Sequence, residues 1–482
     1  MTTARRFRAP FLPINPPPIR ERPLVGLERL IKGALFNCSM CGNCLLQETA
    51  YICPMQCPKG LRNGPCGSGA ANGCCVDSSR PCVWHLIYER AEARGALDKL
   101  LEVQAPLDWS RTGRETWGTV VAEARSRGLL SPAYFTRTDD WRERMQQLFR
   151  DIRQPEWWQG DNRYHPPLPS EPASGLQAAL IRDEFVVTAE ISPPTSADAE
   201  QIRTKAGLLS NMIHGANVTQ NPMATPRMSS LACCALLQEE GVEPILQLTA
   251  RDYNRLQLQA EALGASALGI HNILCLTGDP PTSSRGPAAG LPFDLDATQM
   301  LWILRRMRDE GQFLDGRPIK EPPTLFLGMA ASPGDSMPQH EARRLEKKIN
   351  AGAQFIQTQL VYDVNLLERW LAALEARDLL TKVHILVGIG PLRSIRVARY
   401  MLEHIPDIAI PAQLVERMEK SAQPEETGLE IALRLIEEVK RLPGVSGIHL
   451  MSVGWEAILP RLLHEAGLFT LPGESNLGQL YE

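Results

Sequence analysis

The sequence predicts an α/β fold, a (β/α)8 TIM barrel preceded by a small cysteine-rich domain. At 482 residues, the chain is too long for one ordinary hydrophobic core. Its last roughly 300 residues alternate eight short apolar runs with helix-period segments, which matches this barrel in count and length. Nine of the twelve cysteines fall earlier, between Cys38 and Cys82. A doubly wound open sheet is the alternative for the later part, although no GxGxxG turn opens its first units.

The bulk composition excludes several classes of protein. Hydrophobic residues make up 44% and charged residues 22% of the chain, which is ordinary for a globular protein. The net charge is −4, and the sequence contains no basic stripe. A nucleic-acid partner therefore has no electrostatic support. No apolar run approaches the roughly 18 residues that span a bilayer, and the N-terminus lacks the apolar stretch of a signal peptide. We therefore expect a cytoplasmic protein with no membrane span.

Shifts in composition divide the chain into five regions. The clearest boundary is a linker rich in proline, glycine and serine. A helix is predicted from Val83 to Glu102, after the cysteines. In chain order, the predicted regions are an extended Pro-rich arm (1–22), a cysteine-rich metal or iron–sulfur domain (23–105), a helical extension with tryptophans as packing anchors (106–158), the linker (159–175) and the barrel (176–482).

Eight apolar runs after the linker are predicted as the barrel strands, because each is short and they alternate with amphipathic segments of helical period. The predicted strands are FVVTAEI (185–191), MIHGANVT (212–219), PILQLT (244–249), GIHNILCLTG (269–278), TLFLGMA (324–330), FIQTQLV (355–361), VHILVGI (383–389) and GIHLMSV (447–453).

Polar residues stand where several of these strands end, which is where barrel active sites form. A carboxylate inside an apolar strand end has a raised pKa and is a candidate acid, so Glu190 is singled out. Taken alone, Glu190 could instead cap a loop or a helix. The residues expected to face one cavity include Glu190, Thr219, Gln247, Thr249, Thr277, Gly278, Asp279, Gln357 and Gln359.

The cysteine spacing indicates a metal centre. A disulfide framework would suit a secreted chain with an even number of clustered cysteines, whereas this cluster holds nine and the chain is expected to be cytoplasmic. A CxxCxxC run beginning at Cys38, followed by Cys53-Pro and Cys57-Pro, is closer to iron–sulfur ligation, where three thiolates come from one tight loop. Structural zinc and reactive thiols are the alternatives. Two [4Fe–4S] clusters would take eight thiolates, which leaves one of the neighbours Cys74 and Cys75 spare.

The segments AEISPP, LCLTGDPP, KKINAGAQFIQTQLVYD and GIHLMSVGWEAILPRLLHEAG resemble the strand-end motifs of the methylenetetrahydrofolate reductase family. The resemblance covers about 185–467, and the motifs occur in the family's order. It implies that the barrel reduces 5,10-methylenetetrahydrofolate to 5-methyltetrahydrofolate on a bound flavin, either FAD or FMN.

The resemblance also implies roles for single residues. Glu190 would be the general acid that helps protonate or open the methylene-bridged substrate at N5. Asp279 would lie by the flavin and the pterin and favour the iminium cation, and Gln359 would hydrogen-bond the pterin edge. The other predicted cofactor contacts are Thr219, Gln247, Thr277, Gly278 and, at the flavin phosphate, Lys348. The alternative for Lys347 and Lys348 is a solvated helix face.

Three positions depart from the family's better-known bacterial members. Those proteins carry a histidine where Gln247 stands, an aromatic residue where Ile395 stands and an arginine near Trp455. The departures leave the predicted flavin and pterin contacts in place. They put in doubt the contacts with a nicotinamide cofactor and the contacts that bind the substrate's glutamate tail.

The N-terminal cysteine-rich segment resembles the partner module of acetogen-type methylenetetrahydrofolate reductases, here fused ahead of the barrel. The shared elements are CPK, LRNGPCG and CVW, and Cys74 rather than Cys75 occupies the shared position. This implies two [4Fe–4S] clusters fed by an electron-donor protein such as ferredoxin or by a larger oxidoreductase complex, in a protein that we expect to be oligomeric. The predicted ligands are Cys38, Cys41, Cys44, Cys53, Cys57, Cys66, Cys74 and Cys82.

Two other functions are weighed against the reductase. One is a folate or corrinoid methyltransferase-type barrel with a structural zinc domain, which moves a methyl group without redox chemistry. The other is a non-catalytic electron-transfer or assembly module. Flavin absorption bands together with broad thiolate-to-iron absorption would favour the reductase over both.

Overall fold

The computed structural model describes most of the chain. The described residues are 22–67, 73–129, 154–168, 170–280, 293–334, 337–405 and 408–469, together with Arg144 and Leu148. The predicted arm therefore lies outside them except for Arg22, as do Trp141 and much of the helical extension. Within the described residues, no helix is both long and apolar enough to cross a membrane.

The cysteine-rich region is built from short elements joined by loops. Its helices, with the one that follows it, are α1 (Arg22–Phe36), α2 (Val83–Glu92) and α3 (Trp117–Ser126). The predicted helix from Val83 to Glu102 is wrong in its second half. Gly95 has φ +60°, which ends the helical path, and the chain resumes as a 3-10 turn at Leu97–Leu101.

Eight parallel strands close into a barrel in which each pairs with the next and β1 pairs with β8. The strands are β1 (Val186–Ile191), β2 (Gly215–Val218), β3 (Pro244–Thr249), β4 (Asn272–Leu276), β5 (Phe326–Ala331), β6 (Phe355–Leu360), β7 (His384–Ile389) and β8 (Gly447–Leu450). The predicted TIM barrel is confirmed, and the open sheet is wrong because no edge strand is left unpaired within the described barrel.

Helices surround the barrel, and one covers its amino-terminal end. They are α4 (Gly175–Ile181), α5 (Glu200–Leu209), α6 (Ser230–Glu239), α7 (Arg255–Ala267), α8 (Ala297–Asp309), α9 (Pro338–Asn350), α10 (Val364–Glu375), α11 (Ile395–His404), α12 (Ala412–Lys420), α13 (Pro424–Val439) and α14 (Leu459–Glu465).

Apolar side chains fill the amino-terminal half of the barrel interior. Leu176 and Leu180 of α4 pack there against inward-facing strand residues. The rings of Phe326 and Phe355 stack with centroids 4.8 Å apart, and a Cβ at Gly328 would lie 2.2 Å from the Phe355 ring. This half of the interior is a packed core, and the cavity described below opens at the opposite, carboxyl end of the strands.

Candidate active site

A cavity of about 310 Å³ opens at the carboxyl ends of the barrel strands. A barrel gathers the ends of all its strands at one rim, so residues far apart in sequence meet there. The rim brings together every residue predicted as catalytic or flavin-binding: Glu190, Thr219, Gln247, Thr277, Gly278, Asp279, Lys348 and Gln359. Their shared location is a finding, and their individual roles stay predictions.

Glu190 lies near the end of β1, half-buried in the cavity wall. Burial raises the pKa of its carboxyl to about 7; a hydrogen bond with Gln247 of β3 opposes this shift, and the nearby Glu456 carboxylate adds to it. Glu456 itself is held by Lys205, with Nζ and Oε1 2.9 Å apart. A carboxyl group with this pKa is partly protonated near neutral pH, as a general acid must be.

A buried hydrogen-bond network forms the floor of the cavity. Gln357 of β6 donates from Nε2 to Asn217 Oδ1 at 2.9 Å and to Thr188 Oγ1 at 3.2 Å. Thr188 Oγ1 also lies 2.9 Å from His449 Nδ1. Burial lowers the pKa of His449 to about 3, which keeps its imidazole neutral. Because these side chains satisfy one another, they form a rigid support rather than a set of free ligand contacts.

A bulge in β6 positions Gln359. The pairing of β6 with β7 shifts register between Gln357 and Leu360, and Thr358 Oγ1 accepts a hydrogen bond from the Gly388 N–H at 2.8 Å where it shifts. Gln359 Oε1 in turn accepts from the Leu360 N–H at 2.9 Å. Bulges redirect side chains beside functional sites, and this one leaves Gln359 half-buried in the cavity wall.

The loop after β4 is fixed at the rim by a glycine and an arginine. Gly278 has φ +86°, and a Cβ there would lie only 3.1 Å from Thr249 Cβ, so the turn requires glycine. Asp279 Oδ2 accepts a hydrogen bond from the Met223 N–H at 2.9 Å. Arg251 Nη1 reaches the Asp279 carbonyl at 3.5 Å. The sequence did not single out Arg251, whose contacts become visible only when the loops meet.

Two cationic side chains of α9 face the cavity. Burial lowers the pKa of Lys348 to about 7, and the charge of Arg344 lowers it as well. Arg344 forms a buried ion pair with Glu341. Lys347 and Lys348 are only 2% and 7% exposed, so the alternative of a solvated helix face is wrong. A bound anion would favour the charged form of Lys348, so a phosphate group fits this side of the cavity.

The cysteine-rich region forms part of the lining of the same cavity. Cys66 and Gly67 line it together with the strand ends. Lys59 is 1% exposed and donates from Nζ to the Gly278 carbonyl at 3.0 Å. A Cβ at Gly67 would lie 2.9 Å from Arg344 Nη1, so the two chain segments are in close contact. Neither Lys59 nor Arg344 was identified from the sequence, because each acts through a contact between distant segments.

The cysteines of this region form two groups, and the described cysteines form no disulfide. The first group lines one small cavity and consists of Cys38, Cys41, Cys44 and Cys53. The members of the second group interact electrostatically or by hydrogen bonds and are Cys57, Cys66, Cys74, Cys75 and Cys82. Each group therefore offers at least the four thiols that a four-iron cluster requires.

Burial disfavours the thiolate form in both cysteine groups. It raises the pKa of Cys38 to about 11 and that of Cys57 to about 12, and neighbouring cysteines act in the same direction. The thiolate form that ligates a metal would therefore need positive charge beside it. In the part of the chain that is described, no three His, Cys, Asp or Glu side chains stand at metal-binding geometry. The ligand set and the identity of the metal therefore stay predictions.

Cys75, which the sequence left without a role, belongs to the second group. Its sulfur lies 3.3 Å from that of Cys66, and it interacts with Lys59. Cys74 interacts with Cys66 as well. Because both neighbours face this group, the choice of Cys74 as the ligand also stays a prediction.

Of the three positions that depart from the family's bacterial members, Gln247 lines the cavity, whereas Ile395 and Trp455 do not. Ile395 begins α11 and packs against the outer core. The Arg393 guanidinium lies 5.7 Å from the centre of the Trp455 ring and pairs with Glu425 at 3.0 Å. An arginine thus stands beside Trp455 here, although it comes from another loop.

Comparison with known proteins identifies two matching family models. The model described as methylenetetrahydrofolate reductase matches residues 176–467, which is more than half of the chain. A second, described as the C-terminal part of methylene-tetrahydrofolate reductase, matches residues 18–110.

Individual relatives are distant. A probable methylenetetrahydrofolate reductase (NADPH) of Caenorhabditis elegans is 24% identical over 51% of this chain and 35% of its own length. The 5,10-methylenetetrahydrofolate reductase of Salmonella typhimurium is 22% identical over 60% of this chain and 93% of its own length. A solved structure, an uncharacterized Clostridium thermocellum protein that binds two copies of 5-methyl-5,6,7,8-tetrahydrofolic acid, has a TM-score of 0.45 and 16% identity over 61% of this chain and 97% of its own.

The chain spans little more than a third of the first eukaryotic relatives, so their names do not by themselves transfer an activity. The family match rests instead on the barrel, which carries the whole cavity rim described above. The chain belongs to the methylenetetrahydrofolate reductase family.

Proposed function

We propose that this chain reduces 5,10-methylenetetrahydrofolate to 5-methyltetrahydrofolate on a flavin in the barrel cavity, with electrons delivered through two [4Fe–4S] clusters held by the N-terminal cysteines. One observation carries the proposal: Glu190 and Cys66 line the same cavity. An acid suited to the folate chemistry and a member of a cysteine group suited to electron delivery thus meet at one site.

The residues of the cavity fit a flavin and a pterin. Lys348 and Arg344 offer cations for a phosphate, and the Gly278 turn lets the backbone approach a ring closely. Thr219, Gln247 and Thr277 supply further polar contacts along the rim. A bound flavin would supply the hydride that converts the methylene group into a methyl group.

The protein's own acid and base groups account for the remaining chemistry. The reduction consumes two electrons and two protons, and opening the methylene bridge needs a proton donor. Glu190 supplies that proton, since burial keeps part of its carboxyl protonated near pH 7. Asp279 places a negative charge beside the iminium cation that results, and its hydrogen bond from the Met223 N–H holds the carboxylate at the rim.

The cysteine groups suggest a path for single electrons. The clusters would accept electrons one at a time from a low-potential donor. The second group adjoins the cavity through Cys66, whereas no member of the first group lines it. Lys59 links the second group to the Gly278 carbonyl and places a cation between them. The first group is therefore the entry side, and the second is the exit side.

An anaerobic turnover assay tests the proposed function. Protein purified without oxygen is mixed with a reduced viologen dye and methylenetetrahydrofolate, and methyltetrahydrofolate is quantified by chromatography. We expect stoichiometric product, with two dye molecules oxidised for each folate reduced. Protein that contains flavin but forms no methyltetrahydrofolate would contradict the proposal.

Asp279→Asn should lower folate turnover on the order of 10-fold, because it removes the charge proposed to stabilise a cation while keeping the side-chain shape. Folding should stay intact, since Asp279 lies in a strand-end loop outside the core. The measurements are kcat/KM for methylenetetrahydrofolate and the thermal unfolding midpoint. A variant that unfolds more easily yet turns over folate normally would show a purely structural role.

The pKa of Glu190, raised to about 7, predicts a descending pH profile. Because the protonated carboxyl is the active form, kcat/KM should be level well below pH 7 and fall as pH rises through 7, by about tenfold per unit above it. Lys348 has its pKa lowered to about 7 in the same cavity, so it could titrate in the same range. The pH dependence of the residual activity of Glu190→Gln distinguishes titration of Glu190 from titration of Lys348. If that variant keeps the same descending limb, the limb does not belong to Glu190.

A further inference from the structure

Lys59 is a buried cation beside the second cysteine group. Its side chain is 1% exposed, and its strongest charge interactions are with Cys66, Cys75 and Cys57. Its ammonium also donates to the Gly278 carbonyl at 3.0 Å. Among the described residues, no carboxylate forms an ion pair with Lys59. Because a buried charge is costly unless an opposite charge lies beside it, the negative charge that balances this ammonium must come from the second cysteine group.

The cations beside the first cysteine group have carboxylate partners. Lys32 Nζ lies 4.0 Å from Cys44 Sγ and forms a buried ion pair with Glu28. The Arg62 guanidinium interacts with cysteines of this group and with the Asp296 carboxylate, whose Oδ2 also accepts a hydrogen bond from the Arg62 N–H at 3.2 Å. Carboxylates therefore balance both positive charges, and little net positive charge is left to act on the first group.

Other charges near the second group do not remove this difference. Arg344 lies against Gly67, but its guanidinium is paired with Glu341. Asp77, two positions after Cys75, is exposed, so water and salt screen its carboxylate. The charge of Lys59 is screened far less, because its side chain is buried.

An uncompensated cation favours the more negative state of a neighbouring centre. Reduction adds one negative charge to a cluster, and net charge is among the features that set the reduction potential of a cluster. The attraction is stronger in a buried site, where the effective dielectric constant is lower than in water. A cluster in the second group should therefore be easier to reduce than one in the first group.

We propose that Lys59 is a positioning residue whose charge raises the reduction potential of the second cysteine group above that of the first, and so directs single electrons toward the barrel cavity. The inference rests on the proposed function, because it assumes that both groups hold clusters. In each step the first group loses one electron and the second group gains it. Two steps supply the electron pair that reduces the methylene group, and two molecules of the low-potential donor are oxidised.

The test measures the reduction potentials of both clusters in the full-length protein, purified without oxygen. A redox titration with dithionite and mediator dyes is followed by electron paramagnetic resonance. Cys41→Ser and Cys57→Ser protein, each altered in one group, identify which signal belongs to which cluster. Lys59→Met removes the charge but keeps the length of the side chain, and Lys59→Arg keeps the charge. Lys99→Met is the matched control, since Lys99 is an exposed lysine of the same region.

In the wild-type protein we expect the second cluster to be reduced first. The equilibrium constant for electron transfer from the first cluster to the second should be at least about 10, equivalent to about 59 mV for a one-electron couple. Lys59→Met should lower this constant on the order of 10-fold, whereas Lys59→Arg and Lys99→Met should change it by less than about twofold. A merely structural role of Lys59 would lower the cluster content without shifting the potential of the clusters that remain.

Two results would overturn the proposal. A first cluster that is reduced before the second in the wild-type protein would reverse the order, and this measurement needs no variant. Lys59→Met protein that keeps both clusters at their wild-type potentials would show that the charge of Lys59 has no such effect. Clusters with the expected potentials in protein that forms no methyltetrahydrofolate would contradict the proposed function alone, and protein without iron would contradict both.

Discussion

Glu190→Gln is expected to lower the rate of methylenetetrahydrofolate reduction by on the order of 10²-fold or more, since general acid catalysis is typically worth that much. The amide keeps the shape of the side chain but cannot supply the proton. Flavin should remain bound, and flavin reduction by an artificial donor should be spared. The two half-reactions are measured separately by stopped-flow absorption. A variant that reduces methylenetetrahydrofolate at nearly the wild-type rate would show that the role assigned to Glu190 is wrong.

Glu456→Gln is the matched control. It makes the same chemical change at the neighbouring carboxylate, which raises the pKa of Glu190. Removing that charge should lower the pKa of Glu190 and move the descending pH limb to lower pH. Because Glu190 itself is kept, turnover at low pH should change by no more than a few fold.

Cys41→Ser and Cys57→Ser are expected to abolish activity with a low-potential donor such as reduced ferredoxin or a viologen dye. The two variants probe the first and second cysteine groups separately, and each should lose about half of the bound iron. The barrel should still bind flavin, most clearly in Cys41→Ser, because Cys41 does not line the cavity. Iron content, flavin content and turnover are measured on the same samples.

Cys233→Ser serves as the control for the cysteine variants, since Cys233 is buried in α6 of the barrel rather than in the cysteine-rich region. It should keep its full iron content and its donor-linked activity. The competing explanation is a zinc-stabilised domain that only supports the barrel, with NADH reducing the flavin directly. Full activity with NADH in Cys41→Ser or Cys57→Ser protein that has lost the iron of the altered cysteine group would support that explanation and contradict electron delivery through the clusters.

The barrel and its rim could be predicted because both follow from local patterns. Each strand is a short apolar run, and a parallel barrel necessarily brings residues such as Glu190, Asp279 and Gln359 to one end. Their meeting in one cavity required no knowledge of long-range contacts. The raised pKa of Glu190 follows in the same way from a carboxyl buried near the end of an apolar strand.

The remaining features depend on contacts that no local pattern encodes. Lys59 hydrogen-bonds to Gly278, although the two residues are 219 positions apart in the sequence. Cys66 lines the cavity only because the cysteine-rich region folds onto the barrel rim. The lysine pair at 347–348 has the spacing of an exposed helix face, yet the overlying chain buries it. The helix from Val83 ends early because the chain turns at Gly95.

The absorption spectrum and metal content of anaerobically purified protein show whether this chain holds both a flavin and iron–sulfur clusters. We expect a yellow-brown protein with flavin bands, broad thiolate-to-iron absorption and about eight iron atoms per chain, as two four-iron clusters require. The iron absorption should bleach with reduced ferredoxin and return when methylenetetrahydrofolate is added. A colourless protein that contains stoichiometric zinc and no flavin would contradict the proposed function and favour a barrel that transfers a methyl group without redox chemistry.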